Sequence, residues 1–83
     1  MAWALVWSVQ ALRDLESLDT AVARRVYSKL QTVLADPPRR FERLKGADSW
    51  KLRVGDWRVL ALQSNDAKTV LVERIGHRST VYR

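Results

Sequence analysis

The sequence predicts an α+β fold, in which a hairpin of two helices packs on one face of a small, mostly antiparallel, twisted sheet. Two observations support this class. Apolar residues recur at helical spacing between residues 11 and 34, and they alternate at period two between residues 49 and 76. The predicted order is β-α-α-β-β-β with a short C-terminal tail, and we expect one domain, 1–83.

The first half of the chain predicts one strand and two helices. Residues 2–8, "AWALVWS", form the strand, because apolar side chains recur there at period two, at Trp3, Leu5 and Trp7. Ser8 is the candidate N-cap of the first helix and Asp19 that of the second. The "DPP" at 36–38 ends the second helix, because proline cannot continue a helix.

The second half predicts a meander of three strands. A basic connection, residues 39–48, leads into two apolar runs that flank Gly55-Asp56, and this dipeptide is a two-residue hairpin signal. A second turn over 64–67 precedes the third strand, residues 68–76. The hairpin fixes the register, so the opposed pairs are Val54 and Trp57, Arg53 and Arg58, and Leu52 and Val59. Because side chains alternate between faces, the helices should cover the apolar set: Trp50, Leu52, Val54, Trp57, Val59 and Ala61.

The opposite face of this hairpin is cationic, since it carries Lys51, Arg53 and Arg58. Like charges in directly opposed positions destabilise a sheet, so the arginine pair has a cost with no folding benefit. One interpretation is that Asp56 or Glu73 neutralises the pair in an ordinary surface network. The other is a phosphate site, because guanidinium groups match phosphate oxygens.

The tail "IGHRSTVYR" (75–83) holds several side chains that suit nucleic-acid chemistry. Because the third strand pairs beside the second, Arg78 and Tyr82 can return to the rim of the cationic face. Tyr82 would stack on a base, move a proton or only anchor a loose tail. His77 would be an acid or base, or a structural residue. We expect no core residue among the last four.

The composition and net charge limit the kinds of ligand and chemistry that this chain could support. The net charge of +6 and the pI near 10.5 favour polyanions, with solubility alone as the alternative. The chain has no cysteine and one histidine, so we expect no disulfide, no metal site and no cofactor. It shows no signal peptide and no run of membrane-spanning length, which predicts a cytoplasmic protein without a membrane partner.

Four segments in order resemble the RelE/ParE superfamily of bacterial and archaeal toxins: "W.L.WS..A.RDL..LD", "DPP", "RL.G....W.LRVGDWRVL" and "IGHRSTVYR". The resemblance implies a toxin of a type II toxin–antitoxin system, with a cognate antitoxin as partner. RelE-like members cleave mRNA in the ribosomal A site without metal, as the 2′-OH attacks the adjacent phosphate. The ParE branch shares the fold but inhibits DNA gyrase without enzymatic activity.

The RelE-like resemblance implies a catalytic set of Lys51, Arg53, Arg58, Arg78 and Tyr82. Arg58 and Arg78 would hold the scissile phosphate, and Lys51 or Tyr82 would be the base at the 2′-OH. Arg53 would stabilise charge electrostatically. Three further residues are predicted to bind RNA: Lys45, His77 and Arg83.

Overall fold

The computed structural model describes residues 3–44 and 48–81, and within them the chain forms three helices and one five-stranded sheet. The elements are β1 (Ala4–Trp7), α1 (Val9–Ser17), α2 (Thr20–Val33), α3 (Pro37–Arg40), β2 (Glu42–Arg43), β3 (Ser49–Val54), β4 (Trp57–Ser64) and β5 (Thr69–His77). The strand order is β1-β5-β4-β3-β2, with β1 parallel to β5 and the other neighbours antiparallel. The predicted α+β class with a mostly antiparallel sheet is confirmed.

Both long helices begin where the sequence predicts. The Ser8 hydroxyl accepts a hydrogen bond from the Ala11 N–H at 3.0 Å and donates one to the Glu73 carbonyl at 2.9 Å. The same side chain therefore caps α1 and ties its start to β5. Asp19 occupies the N-cap position of α2, although its side chain makes no capping hydrogen bond.

Two short elements that the sequence does not predict, α3 and β2, lie in the connection after α2. Pro37 is the first residue of α3, where its fixed φ and missing N–H are tolerated, so the prolines that follow α2 also begin α3. In β2, Glu42 pairs with Lys51 and Arg43 with Trp50. A strand of two residues is too short for alternation to reveal it.

The core lies between the sheet and the two long helices. The predicted register of β3 against β4 is confirmed at all three predicted pairs. On the predicted apolar face, four residues are buried and two tryptophans are half-buried against the core: Leu52, Val54, Val59, Ala61, Trp50 and Trp57. The helices contribute Ala11, Val26, Leu30 and Val33 to the same cluster. The helices thus cover the face that alternation assigned to them.

Asp14 of α1 fixes the last part of β5. Its Oδ2 accepts a hydrogen bond from the Ile75 N–H at 2.9 Å and lies 3.3 Å from Arg74 Nε. The carboxylate is mostly buried, which strengthens a charge-assisted hydrogen bond relative to one in water. Because Ile75 lies just before the tail, this contact positions the chain that enters the candidate site.

Candidate active site

The two-residue turn between β3 and β4 sets the cationic face. Gly55 has φ of +60°, in the left-handed region that glycine adopts without a steric cost. The turn places Arg53 directly opposite Arg58. Directly opposed residues share one face of the sheet, so both side chains start from the face that the helices do not cover.

Arg58 is buried, with 8% of its surface exposed, although the sequence predicts an open face around it. Its Nη1 donates to the Gly55 carbonyl and to the Trp57 carbonyl, both at 2.8 Å. These bonds tie the guanidinium to the hairpin turn. Nε and Nη2 have no acceptor among the described residues, so part of the group remains available for an anion.

The chain after β5 packs against the strand residue that lies opposite Arg58. Gly76 lies opposite Arg58, and a Cβ on Gly76 would sit 3.1 Å from the Cβ of Val81. Val81 is only 3% exposed, and its N–H donates to the His77 carbonyl at 3.0 Å. The tail therefore turns back onto the sheet beside Arg58. The expectation that the last four residues contribute nothing to the core is wrong at Val81.

Arg78 is held next to the same turn. Its N–H donates to the Asp56 carbonyl at 2.8 Å, and its Nε lies 3.8 Å from Asp56 Oδ1. The side chain remains exposed. The interpretation that Asp56 or Glu73 neutralises the Arg53–Arg58 pair is wrong for the described residues. Asp56 pairs with Arg78, and a Glu73 oxygen accepts a hydrogen bond from the Ser49 hydroxyl.

Lys51 lies on the same strand face as Arg53, two residues earlier on β3. Its Nζ is 3.7 Å from Glu42 Oε2, a contact made possible by the pairing of β2 with β3. The lysine is half-buried, whereas the glutamate is exposed. An ion pair at this distance with one exposed partner contributes little and exchanges readily with a competing anion.

Arg53 differs from its neighbours because its side chain is exposed at the edge of the sheet. It lines an open cleft of about 610 Å³ between β3 and α2, and Arg24 and Lys29 line the same cleft. The structure thus gathers Arg53, Arg58 and Arg78 around one turn, with Lys51 further along the face.

His77 is the last residue of β5 and pairs with Trp57, so its side chain lies on the Trp57 face of the sheet and not on the cationic face. Its ring makes an edge contact with Trp57, with centroids 5.5 Å apart and planes at 86°. Its Nδ1 accepts a hydrogen bond from the Ser79 N–H at 3.2 Å and lies 2.8 Å from the Ser79 hydroxyl. Because Nδ1 is an acceptor, the neutral ring carries its proton on Nε2. That donor is the part of the ring left for a ligand.

Three predicted site residues, Lys45, Tyr82 and Arg83, lie outside the described residues. Within residues 3–44 and 48–81, no group of three or more His, Asp or Glu side chains could hold a metal ion. In the same ranges, no helix is long and apolar enough to cross a membrane.

Comparison with known proteins defines the class of this chain. The family model described as the ParE toxin of the type II toxin–antitoxin system parDE matches residues 5–82. The chain therefore belongs to this toxin family, within the RelE/ParE superfamily. Among curated protein sequences there is no significant match.

Solved structures show that the protein is RelE-like. A mutant of the E. coli toxin RelE in the free state shares 30% sequence identity, with a TM-score of 0.80, over 99% of this chain and 92% of that chain. The toxin of an archaeal RelE–RelB complex from Pyrococcus horikoshii has the same fold, with 23% identity, a TM-score of 0.82, and coverage of 98% and 100%. A chain of a RelBE toxin–antitoxin complex from Mycobacterium tuberculosis shares 23% sequence identity with a TM-score of 0.84. The match covers 94% of this chain and 100% of that chain.

Proposed function

We propose that this toxin is an endoribonuclease that cleaves mRNA in the ribosomal A site, with a cognate antitoxin as its inhibitor. One observation carries the proposal: the hairpin and the tail bring Arg53, Arg58 and Arg78 around a single turn. Three arginines beside one turn would supply positive charge where a phosphodiester gains negative charge in its transition state.

The proposed reaction is an internal transfer that needs no metal. The 2′-oxygen attacks the adjacent phosphorus while its proton passes to a base, and the bond from phosphorus to the 5′-oxygen breaks. The leaving oxygen gains a proton, and the products are a 2′,3′-cyclic phosphate and a free 5′-hydroxyl. Charge builds on the phosphate oxygens during this step, so fixed cations accelerate it.

Arg58 is the fixed cation of the proposed site. Two N–H groups of Nη1 hold the turn carbonyls of Gly55 and Trp57, which leaves three donors on Nε and Nη2. Those donors would bind the scissile phosphate. Because the turn already orders this side chain, binding costs little further side-chain entropy.

Arg78 and Lys51 are the exchangeable cations. Each is held by a carboxylate, Asp56 or Glu42, at a distance near the limit for an ion pair. A phosphodiester, whose single negative charge is shared by two oxygens, would replace these weak contacts. Lys51 or Tyr82 would then be the base at the 2′-OH, and Arg53 would stabilise charge from the rim. Lys45, His77 and Arg83 would contact the flanking RNA.

The partners proposed for this chain follow from its class. Several similar structures are complexes of a RelE toxin with a RelB antitoxin, so we propose an antitoxin of that kind here. Ribosome and mRNA are the proposed targets, because the ribosome can hold the A-site codon in the geometry of attack. The chain would act in the cytoplasm as a single domain, 1–83.

Toeprinting of translating ribosomes tests this function. Added toxin should produce new 3′ ends within A-site codons, and these ends should carry a cyclic phosphate. Intact mRNA would rule the proposal out. A 3′-hydroxyl product would rule out attack by the 2′-oxygen.

Gyrase inhibition is the second candidate function. The matched family model is described as the ParE toxin of parDE, and the ParE branch inhibits DNA gyrase. It predicts intact mRNA together with toxin-dependent DNA damage. A supercoiling assay with purified gyrase, run beside the toeprint, separates the two functions.

A further inference from the structure

A second cationic site lies on the helix side of the β3 edge. The open cleft of about 610 Å³ is lined by four cations and two hydroxyls: Arg24, Arg25, Ser28, Lys29, Thr32 and Arg53. The remaining lining comes from Val54 and Gly55, and none of the described lining residues carries a carboxylate. The site therefore combines high positive charge with neutral hydrogen-bond donors.

The sequence builds this site from a helical stripe and a free strand edge. The α2 side chains of the cleft fall at spacings of one, four, five and eight residues from Arg24, which keeps them on one side of the helix. On the sheet side, β2 pairs only with Trp50 and Lys51, so it leaves the end of β3 uncovered. That uncovered end is where Arg53 meets α2.

Gly55 lets Arg25 lie across the turn. A Cβ on Gly55 would come within 2.9 Å of Arg25 Nη2, which is closer than any side chain tolerates without a shift. The glycine therefore serves two purposes, its left-handed φ and the close approach of a guanidinium group. This contact joins the cleft to the same turn that holds Arg58 and Arg78.

The cleft cations have no acidic partners. Within residues 3–44 and 48–81, none of Arg24, Arg25, Lys29 and Arg53 forms an ion pair, whereas Lys51 and Arg78 each do. Like charges four positions apart on a helix, as at Arg25 and Lys29, destabilise it. The cluster thus opposes folding, and a bound polyanion would offset that cost.

We propose that this cleft binds the phosphodiester backbone of RNA, as a contact separate from the scissile phosphate. Guanidinium, ammonium and hydroxyl groups are the side chains that position proteins on nucleic-acid backbones. Among the described lining residues, Val54 is the one hydrophobic side chain, which is too few for the apolar anchors of a protein partner. Arg53 belongs to the cleft and also opposes Arg58, so one continuous strand of RNA, or two strands, can occupy both sites.

This inference rests on the proposed ribosomal function, and a binding measurement separates the two. The probe is the ribosome programmed with an mRNA that carries a 2′-O-methyl group at the A-site codon, so that cleavage cannot occur. The test variant is Arg24→Gln with Lys29→Gln. The control is Arg13→Gln with Arg40→Gln, which removes the same charge from exposed positions outside the cleft.

The test variant should bind these ribosomes about tenfold more weakly than the control, and its plot of log affinity against log salt should be shallower by roughly 1.4 to 1.8. Binding to ribosomes without mRNA shows whether ribosomal RNA or mRNA supplies the bound phosphodiester backbone. An equal loss there assigns the cleft to ribosomal RNA, and a loss only with mRNA present assigns it to the message.

Two results would overturn the inference. In the first, test and control variants bind programmed ribosomes equally. In the second, the test variant keeps its ribosome affinity and loses antitoxin affinity, which makes the cleft a protein interface. The cleavage proposal is tested separately with unmodified mRNA. If wild-type toxin leaves that mRNA intact, the proposed cleavage is refuted, and the binding of the test and control variants still decides whether the cleft binds RNA.

Discussion

The candidate active site and the α2 cleft are both cationic, but their charges have different surroundings. Around the active site, Lys51 and Arg78 contact carboxylates, and Arg58 donates to backbone carbonyls. In the cleft, the four cations have no ion-pair partner among the described residues. Internal acceptors keep cations in a defined geometry, which catalysis requires. Unpaired cations supply long-range attraction, which depends on salt and not on fine geometry.

Arg78→Ala should have the largest effect on cleavage. In the proposed mechanism the variant lacks one cation at the scissile phosphate, so we expect a loss of roughly 10²- to 10³-fold in single-turnover cleavage on programmed ribosomes. Its side chain is exposed and its ion pair is weak, so the free energy of unfolding should change by less than about 1 kcal/mol. Arg40→Ala, an exposed arginine outside both sites, is the control. A fully active Arg78→Ala protein contradicts the phosphate role.

Arg58→Ala should lower both cleavage and stability. Truncation removes a buried side chain and leaves the partly buried carbonyls of Gly55 and Trp57 without their donor, which costs roughly 1–3 kcal/mol. Urea unfolding measures this loss. Arg53→Ala is the matched control, since it removes the opposed but exposed arginine and should change stability by less than about 0.5 kcal/mol. Equal destabilisation by the two variants would contradict the unequal surroundings of this pair.

Gly55→Ala should destabilise the protein by about 1–2 kcal/mol, because an L-residue in the left-handed region is strained. The new Cβ also displaces Arg25 from the turn. Gly55→Asn tests the two causes separately, since asparagine tolerates this backbone conformation but has the same Cβ. Thermal unfolding should show a smaller loss for Asn than for Ala, while both variants weaken ribosome binding. An Asn variant with native binding would show that Arg25 has no role there.

Asp56→Asn should have the smallest effect and the opposite sign. The backbone carbonyl that holds Arg78 remains, and only the competing charge is lost. An exposed ion pair of this kind contributes about 0.2–1 kcal/mol, so RNA affinity should rise by roughly 1.4- to fivefold. The affinity for programmed ribosomes measures this rise. Asp66→Asn, which removes another exposed acidic charge, is the control. Unchanged affinity in Asp56→Asn alone would show that Asp56 does not compete with RNA.

The hairpin half of the site could be predicted from the sequence because its determinants are local. Gly55-Asp56 specifies the turn, the turn specifies the register, and alternation then places Arg53 and Arg58 on one face. The pairing of these arginines is confirmed. Their assigned roles, like that of Lys51, remain predictions until the variants are measured.

The other features depend on contacts between distant segments. The tail is packed on the sheet through Val81, a single apolar residue in a polar tail, where no periodicity marks it. The link from Asp56 to Arg78 joins two loops that only the sheet brings together. The α2 cleft requires the short β2 to leave part of β3 uncovered, and two residues are too few to predict a strand.

The parallel pairing of β1 with β5 has a consequence for how the toxin is made. Ala4 pairs with Thr69, so β1 cannot pair until a strand that lies 65 residues later in the chain has been synthesised. At roughly 5–20 residues per second, this delay during synthesis lasts about 3–13 s. An apolar strand with an unpaired edge is exposed for that time and invites association with other chains. Because Arg78 follows directly after β5, the strand that is synthesised last also carries this arginine to the turn that holds Arg58.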